Sequence, residues 1–125
     1  MSMRVVLDSL KKLESKPEIE LCLLTRKNGD IVASVGDVGS LSIETFGIMA
    51  ATIYGAANTA NEHLNKQRPN RIVMRASDGD TVIKKVDGQH ILILRTHTRN
   101  NFVSVLGSMD ETVDHLLEHW DGVVW

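Results

Sequence analysis

The sequence predicts an α/β sandwich of the α+β type: a five-stranded antiparallel sheet in the order 2-1-5-4-3, with a long central helix on one face and the N- and C-terminal helices on the other. The long run 41–65, LSIETFGIMAATIYGAANTANEHLN, keeps helical character and separates two groups of short β-favouring runs. Those runs are punctuated by Asn-Gly and Asp-Gly pairs, which are hairpin signals. Two of them, 19–25 and 90–96, are apolar on both faces, as befits strands covered by helices on both sides.

Met3, Val6, Leu7, Leu10 and Leu13 recur at helical spacing, and Pro17 follows, so the first helix is expected over residues 3–14. Strands at 19–25 and 30–35 flank Lys27-Asn28-Gly29, where Asn-Gly suits the positive φ angles of a type I′ turn. Residues 36–39 form a loop, Ser40 or Ser42 caps the long helix, and Glu44 lies near its positive end. Strands at 71–76, 81–86 and 90–96 then form a meander through Asp78-Gly79 and Asp87-Gly88. In the first strand Ile19, Leu21 and Leu23 oppose Cys22 and Leu24; in the last, Ile91 and Ile93 oppose Leu92 and Leu94. The other strands carry Ser34, Arg71, Arg75 or Lys84 on one face, so they belong outside these two, and the third strand falls at an edge. The segment 102–106 reads as a sixth strand or as the start of a helix. Helical spacing of Phe102, Val105, Leu106, Met109, Val113, Leu116, Leu117 and Trp120 favours the helix, although Gly107 inside it costs about 1 kcal/mol. Residues 121–125 carry no reading, and no repeat or linker divides the chain, so 1–125 is read as a single domain.

The long helix has apolar or small residues around nearly its whole circumference. At about 100° per residue, Phe46, Met49, Ile53, Ala57, Ala60 and Leu64 form one stripe, and Gly47, Ala51 and Gly55 form a second about a third of a turn away. The first stripe is assigned to the chain's own sheet. A second apolar stripe calls for a partner, since a surface helix ordinarily shows one. Alanines need no special explanation, but a glycine costs about 0.8–1 kcal/mol inside a helix. Gly47 and Gly55 are therefore expected to admit another backbone, that of a second molecule in preference to the chain's own sheet.

Composition narrows the function. The chain has 125 residues, 14 basic and 16 acidic, for a net charge of −2, and the charges are scattered. Nucleic acid and anionic membrane both call for a concentrated basic footprint, so they are set aside. The lone Cys22 sits in an apolar strand and reads as a buried, reduced thiol, which favours the cytoplasm. Charges at Arg4, Asp8, Lys11 and Lys12 break any signal-peptide pattern, and no run is long enough to span a membrane.

A search for chemistry assigns no catalytic, cofactor-binding or metal-binding residue. His115 and His119 are spaced i, i+4 beside Asp114 and Glu118, but there is no HExxH pattern, and a solvated polar face opposite Leu116, Leu117 and Trp120 is the reading. The loop 36–40 precedes a helix as a phosphate cradle would, yet it lacks the P-loop lysine and the dinucleotide glycine spacing. Cys22 has no activating base nearby in sequence. His63, His90 and His97 read as solvent-facing, and Asp78, Asp80 and Asp87 as turn residues.

In order and spacing the chain resembles the Roadblock (dynein light chain) superfamily, from about Arg4 to His119. The resemblance is carried by LKKLESKPEI, LCLLTRKNGDIVAS, FGIMAATIYGAANTA, RIVMRASDGDTVIKKVDGQHILIL and NNFVSVLGSMDETVDHLLEHW. It implies a Roadblock/profilin-like fold and a non-enzymatic homodimer in which the long helices pack together and the third strands join the two sheets. It also implies a scaffold or regulator of small Ras-like GTPases. Carried onto this sequence, the dimer interface is expected at Gly47, Ala51, Tyr54, Gly55, Asn58, Ile72 and Met74, and a partner surface at Thr45, Ile48, Thr52 and Thr59. No cofactor is expected. The alternative is a small-molecule-binding sensor, which would need an apolar cavity of a few hundred Å³.

Overall fold

The computed structural model describes residues 3–37, 39, 40 and 42–120. Val38 of the loop 36–40, Leu41 at the expected start of the long helix and the tail from Asp121 to Trp125 lie outside the described residues. The element order is α1 (Met3–Glu14), β1 (Ile19–Arg26), β2 (Ile31–Gly36), α2 (Ile43–His63), β3 (Arg71–Ala76), β4 (Gly79–Lys85), β5 (His90–Thr96) and α3 (Phe102–Glu118). The five strands form one antiparallel sheet in the order β2-β1-β5-β4-β3, as the two-faced strands predict. No helix of the described residues is long and apolar enough to cross a membrane.

Each face of the sheet carries its own core. On one, Cys22, Leu24, Val82, Leu92 and Leu94 meet Val6, Leu10 and Leu13 of α1 and Val105, Met109, Val113 and Leu116 of α3. On the other, Leu21, Leu23, Ile83, Ile91 and Ile93 meet Ala50, Ala51 and Tyr54 of α2. Ile19 departs from the expected alternation and joins the α1/α3 core. The cause is a register shift between Ile19 and Leu21 against β5, since one extra residue flips the side chains that precede it.

Hairpins form where expected but do not use type I′ turns, which need positive φ at both central residues. Among the described residues Asn65 is the only non-glycine with positive φ. In the first turn Gly29 alone takes it, at 97°, while Arg26 N–H donates to Asp30 O (2.9 Å) and Gly29 N–H to Arg26 O (2.9 Å). This is a three-residue loop closed by a left-handed glycine. Asn28 instead accepts from Asp30 N–H through Oδ1 at 2.9 Å.

The helix ends follow from their caps. Ser42 Oγ accepts from Thr45 N–H at 3.2 Å to open α2. Asn101 Oδ1 does the same for Ser104 N–H at 3.2 Å, so α3 begins at Phe102 and runs through Gly107. Asp110 ties α3 to the sheet: Arg71 Nη1 lies 2.9 Å and Lys84 Nζ 3.3 Å from its Oδ1. The cationic side chains that marked β3 and β4 as outer strands thus face a helix.

Candidate functional site

Rotation of α2 about its axis decides which residues are available to a partner. Its buried residues are Gly47, Ala50, Ala51 and Tyr54, with Ile43, Phe46 and Ile53 packed beside them. The line facing the sheet therefore runs between the two stripes read from the sequence. Met49 and Leu64, assigned above to the sheet, are exposed at 59% and 66%.

Small residues, not large ones, set the inner face, because the β1–β2 turn comes up against the helix backbone. A Cβ on Gly47 would lie 3.1 Å from Gly29 O, and one on Gly29 would lie 2.7 Å from Ile48 Cα. The backbone that Gly47 admits is the chain's own, which corrects its assignment to a helix of a second molecule. Ala51 and Tyr54 are likewise turned inward, at 5% and 6% exposure, leaving little of either for an interface. Tyr54 fixes the rotation: its ring lies in the core and its hydroxyl donates to Pro69 O at 3.1 Å. Burial, partly offset by Arg68, holds the phenol above its ordinary pKa, so it stays a donor.

Gly55 behaves differently although it is eight residues from Gly47. Each four-residue step turns about 40° past a full rotation, so Gly55 is about 80° further round. It is exposed, and a Cβ there would meet nothing within 4 Å. The outward face of α2 carries Thr45, Ile48, Met49, Thr52, Gly55, Ala56 and Thr59, all exposed. All of the expected partner-surface residues lie on it, together with Met49 and Ala56, which the sequence reading did not place there. Ile48 is 54% exposed. Asn58 flanks this face, half-buried, and its Oδ1 has no hydrogen-bond partner among the described residues.

β3 is the open edge of the sheet beyond β4. Ile72 and Met74 point to the α2 side and pack against its core, half-buried, whereas Val73 is exposed. Arg75, on the opposite side from Met74, stacks over Phe102 at 4.1 Å and pairs with Asp80 at 3.2 Å. Asp80 is buried and also accepts from Asn100 Nδ2 at 3.3 Å and Ala76 N–H at 3.4 Å. Burial pushes its carboxyl up, but the Arg75, Asn100 and Ala76 donors outweigh it and hold the pKa below the ordinary range. Asp80 thus stiffens the β3–β4 turn and is more than a turn former.

Among the described residues no nucleophile stands beside a base in this region. Cys22 is fully buried, its thiol donates to Leu10 O at 3.3 Å, and burial together with nearby Glu14 pushes its pKa up to about 12. His90, expected in solvent, is buried beside Asp87, 2.9 Å away, and Trp120. These residues lock the end of α3 to the β4–β5 turn. Only Trp120, in helical register with the core residues of α3, hinted at that contact.

No protein-family model matches the chain, and no curated protein matches its sequence. Solved structures do match in fold. MglB of Myxococcus xanthus superposes with a TM-score of 0.91 at 13% identity, over 99% of this chain and 93% of that one. A Roadblock/LC7 domain from Streptomyces avermitilis gives 0.81 at 11% identity, over 90% and 94% of the two chains. The gliding protein MglB from Thermus thermophilus gives 0.80 at 14%, over 92% and 87%. With its strand order, its central helix and its paired outer helices, the chain has the Roadblock superfamily fold.

Proposed function

We propose that this protein is a non-enzymatic, homodimeric scaffold or regulator that binds a small Ras-like GTPase in the cytoplasm. The outward face of α2 carries the proposal. Two large apolar residues, Ile48 and Met49, stand more than half exposed on a helix whose inner face is already filled by the chain's own core. Gly55 opens a dip beside them, and the free edge of β3 offers unpaired backbone groups for strand addition. In this reading Gly55, Asn58, Ile72 and Met74 lie in the dimer interface, and Thr45, Ile48, Thr52 and Thr59 form the surface for the GTPase. Support also comes from the fold neighbours, which include an MglB solved in a tetrameric arrangement at a TM-score of 0.80.

Sedimentation equilibrium at micromolar concentration tests the assembly: a dimer is expected, and a monomer refutes it. Affinity capture from native extract tests the partner. A small Ras-like GTPase is expected with the wild type and not with Thr52→Arg; equal capture by both removes the proposed surface. The sensor alternative rests on the groove of about 340 Å³ between α1 and α3, where Val5 and Leu13 lie among polar groups such as Asp8, Lys12, Glu111 and His115.

A further inference from the structure

A cluster on α3, remote in sequence from the proposed interface, carries a different chemistry. His115, Glu118 and His119 each present a ligand atom, and the three atoms lie within 4.8 Å of one another. The two imidazole centroids are 4.6 Å apart. The spacing explains this, since residues three and four apart on a helix share one face. Their order, His-Leu-Leu-Glu-His, has the H-x-x-E-H spacing in which two histidines of one helix can reach a single metal.

Two further observations separate this cluster from an ordinary polar surface. Nδ1 of His119 lies 3.0 Å from the backbone carbonyl of His115. A carbonyl can only accept, so in the neutral imidazole Nδ1 carries the proton and Nε2 keeps a lone pair; metal-binding histidines are commonly oriented in this way. The helix end is also held in place. Trp120 Nε1 donates to Asp87 Oδ2 at 2.8 Å, its indole meets the His90 ring edge-on at 5.1 Å, and Leu116, one turn earlier on the same inner face, is fully buried. A turn anchored along its inner face presents its ligands with less ordering cost than a frayed one.

We propose that His115, Glu118 and His119 form a binding site for one divalent transition cation, with Zn²⁺ as the reference ion. Two imidazole nitrogens and one carboxylate oxygen suit a borderline-soft ion, whereas Ca²⁺ and Mg²⁺ favour all-oxygen sets. Water completes the tetrahedron, because all three side chains are exposed. Binding clamps the last turn of α3, next to the contact of Trp120 with the β4–β5 turn.

Calorimetric titration of the untagged full chain with zinc chloride tests the site. One ion per chain is expected, with affinity falling more than about tenfold in His115→Ala and in His119→Ala, since loss of even an outer-shell partner costs about that much. Glu118→Gln weakens binding, and His63→Ala leaves it unchanged. Circular dichroism controls for folding. The proposal is overturned by the absence of saturable binding, by undiminished affinity in the His115/His119 double variant, or by a ratio of one ion to two chains.

Discussion

Alanine at Gly47 and alanine at Gly55 change stability in opposite directions, although both replace a glycine inside the same helix. The intrinsic term is shared: alanine is about 0.8–1 kcal/mol better than glycine in a helix interior. At Gly55 nothing opposes it, because a Cβ meets no atom within 4 Å. The expected result is a gain of about 0.8–1 kcal/mol for the isolated chain. At Gly47 the new methyl lies 3.1 Å from Gly29 O, 3.6 Å from Ile31 Cγ1 and 3.7 Å from Thr25 Cγ2. The closest of these is backbone, and the turn that bears it already abuts the Cα of Ile48, so it cannot rotate out of the way as a side chain would. Overpacking of this kind costs about 1–3 kcal/mol, which exceeds the propensity gain and leaves a net loss of up to about 2 kcal/mol. Urea unfolding followed by circular dichroism measures both variants. It should be run over a series of protein concentrations, so that any association term is separated from the stability of the single chain. A Gly47→Ala protein as stabilised as Gly55→Ala would refute the close approach of the β1–β2 turn to α2.

Gly55→Leu raises the stability of the single chain, by less than alanine does, and weakens the proposed dimer more than tenfold by sedimentation; an unchanged dimer removes Gly55 from the interface. The Cys22 thiol, pushed up to about 12 and fully buried, reacts with an aromatic disulfide reagent at pH 8 only as fast as the protein opens. Rapid labelling of the native protein would contradict that burial. Asp80 has a folded-state pKa below its unfolded value, so its contribution is full above the ordinary carboxylate range and is lost as pH falls through the folded value. The urea midpoint of the wild type is expected to fall below about pH 4, and Asp80→Asn, destabilised by about 1–3 kcal/mol at neutral pH, to show a shallower fall. Parallel curves for the two proteins would remove Asp80 as the source.

The strand order was legible because it depends on a coarse property. A strand that is apolar on both faces must be central, and only the segments containing Leu21–Leu24 and Ile91–Leu94 qualify. Local detail was less accessible. Asn-Gly and Asp-Gly mark turns correctly, but the turn type depends on register, which the bulge beside Thr25 alters in the first hairpin. The burial of His90 is hidden because Trp120, which covers it, is 30 residues away in sequence, whereas Asp87 in the adjoining turn is a local partner. Pairing of Asp110 with Arg71 and Lys84 was hidden for the same reason. Charged residues on a strand face look like solvent exposure until a helix brings the opposite charge across.

The rotation of α2 is the least legible feature, and its cause bears on function. A helix with apolar residues on every side gives no clear direction, and side-chain size points to the wrong inner face. Size is the wrong criterion where backbone approaches backbone. Gly47 and Ala50 face inward because the sheet and the β1–β2 turn are close, and the larger Ile48 and Met49 are left outside. The outer face therefore does not match a smooth small-residue stripe for close helix contact. Met49 projects from it as a ridge and Gly55 leaves an indentation, the relief that lets helices pack ridges into grooves at about 8–10 Å between axes, while Ile48 stays with the partner surface. In an antiparallel pair the ridge of one copy can enter the indentation of the other. Filling the indentation with Gly55→Leu and truncating the ridge with Met49→Ala should then weaken association by non-additive amounts. Strict additivity would mean that the two features never meet.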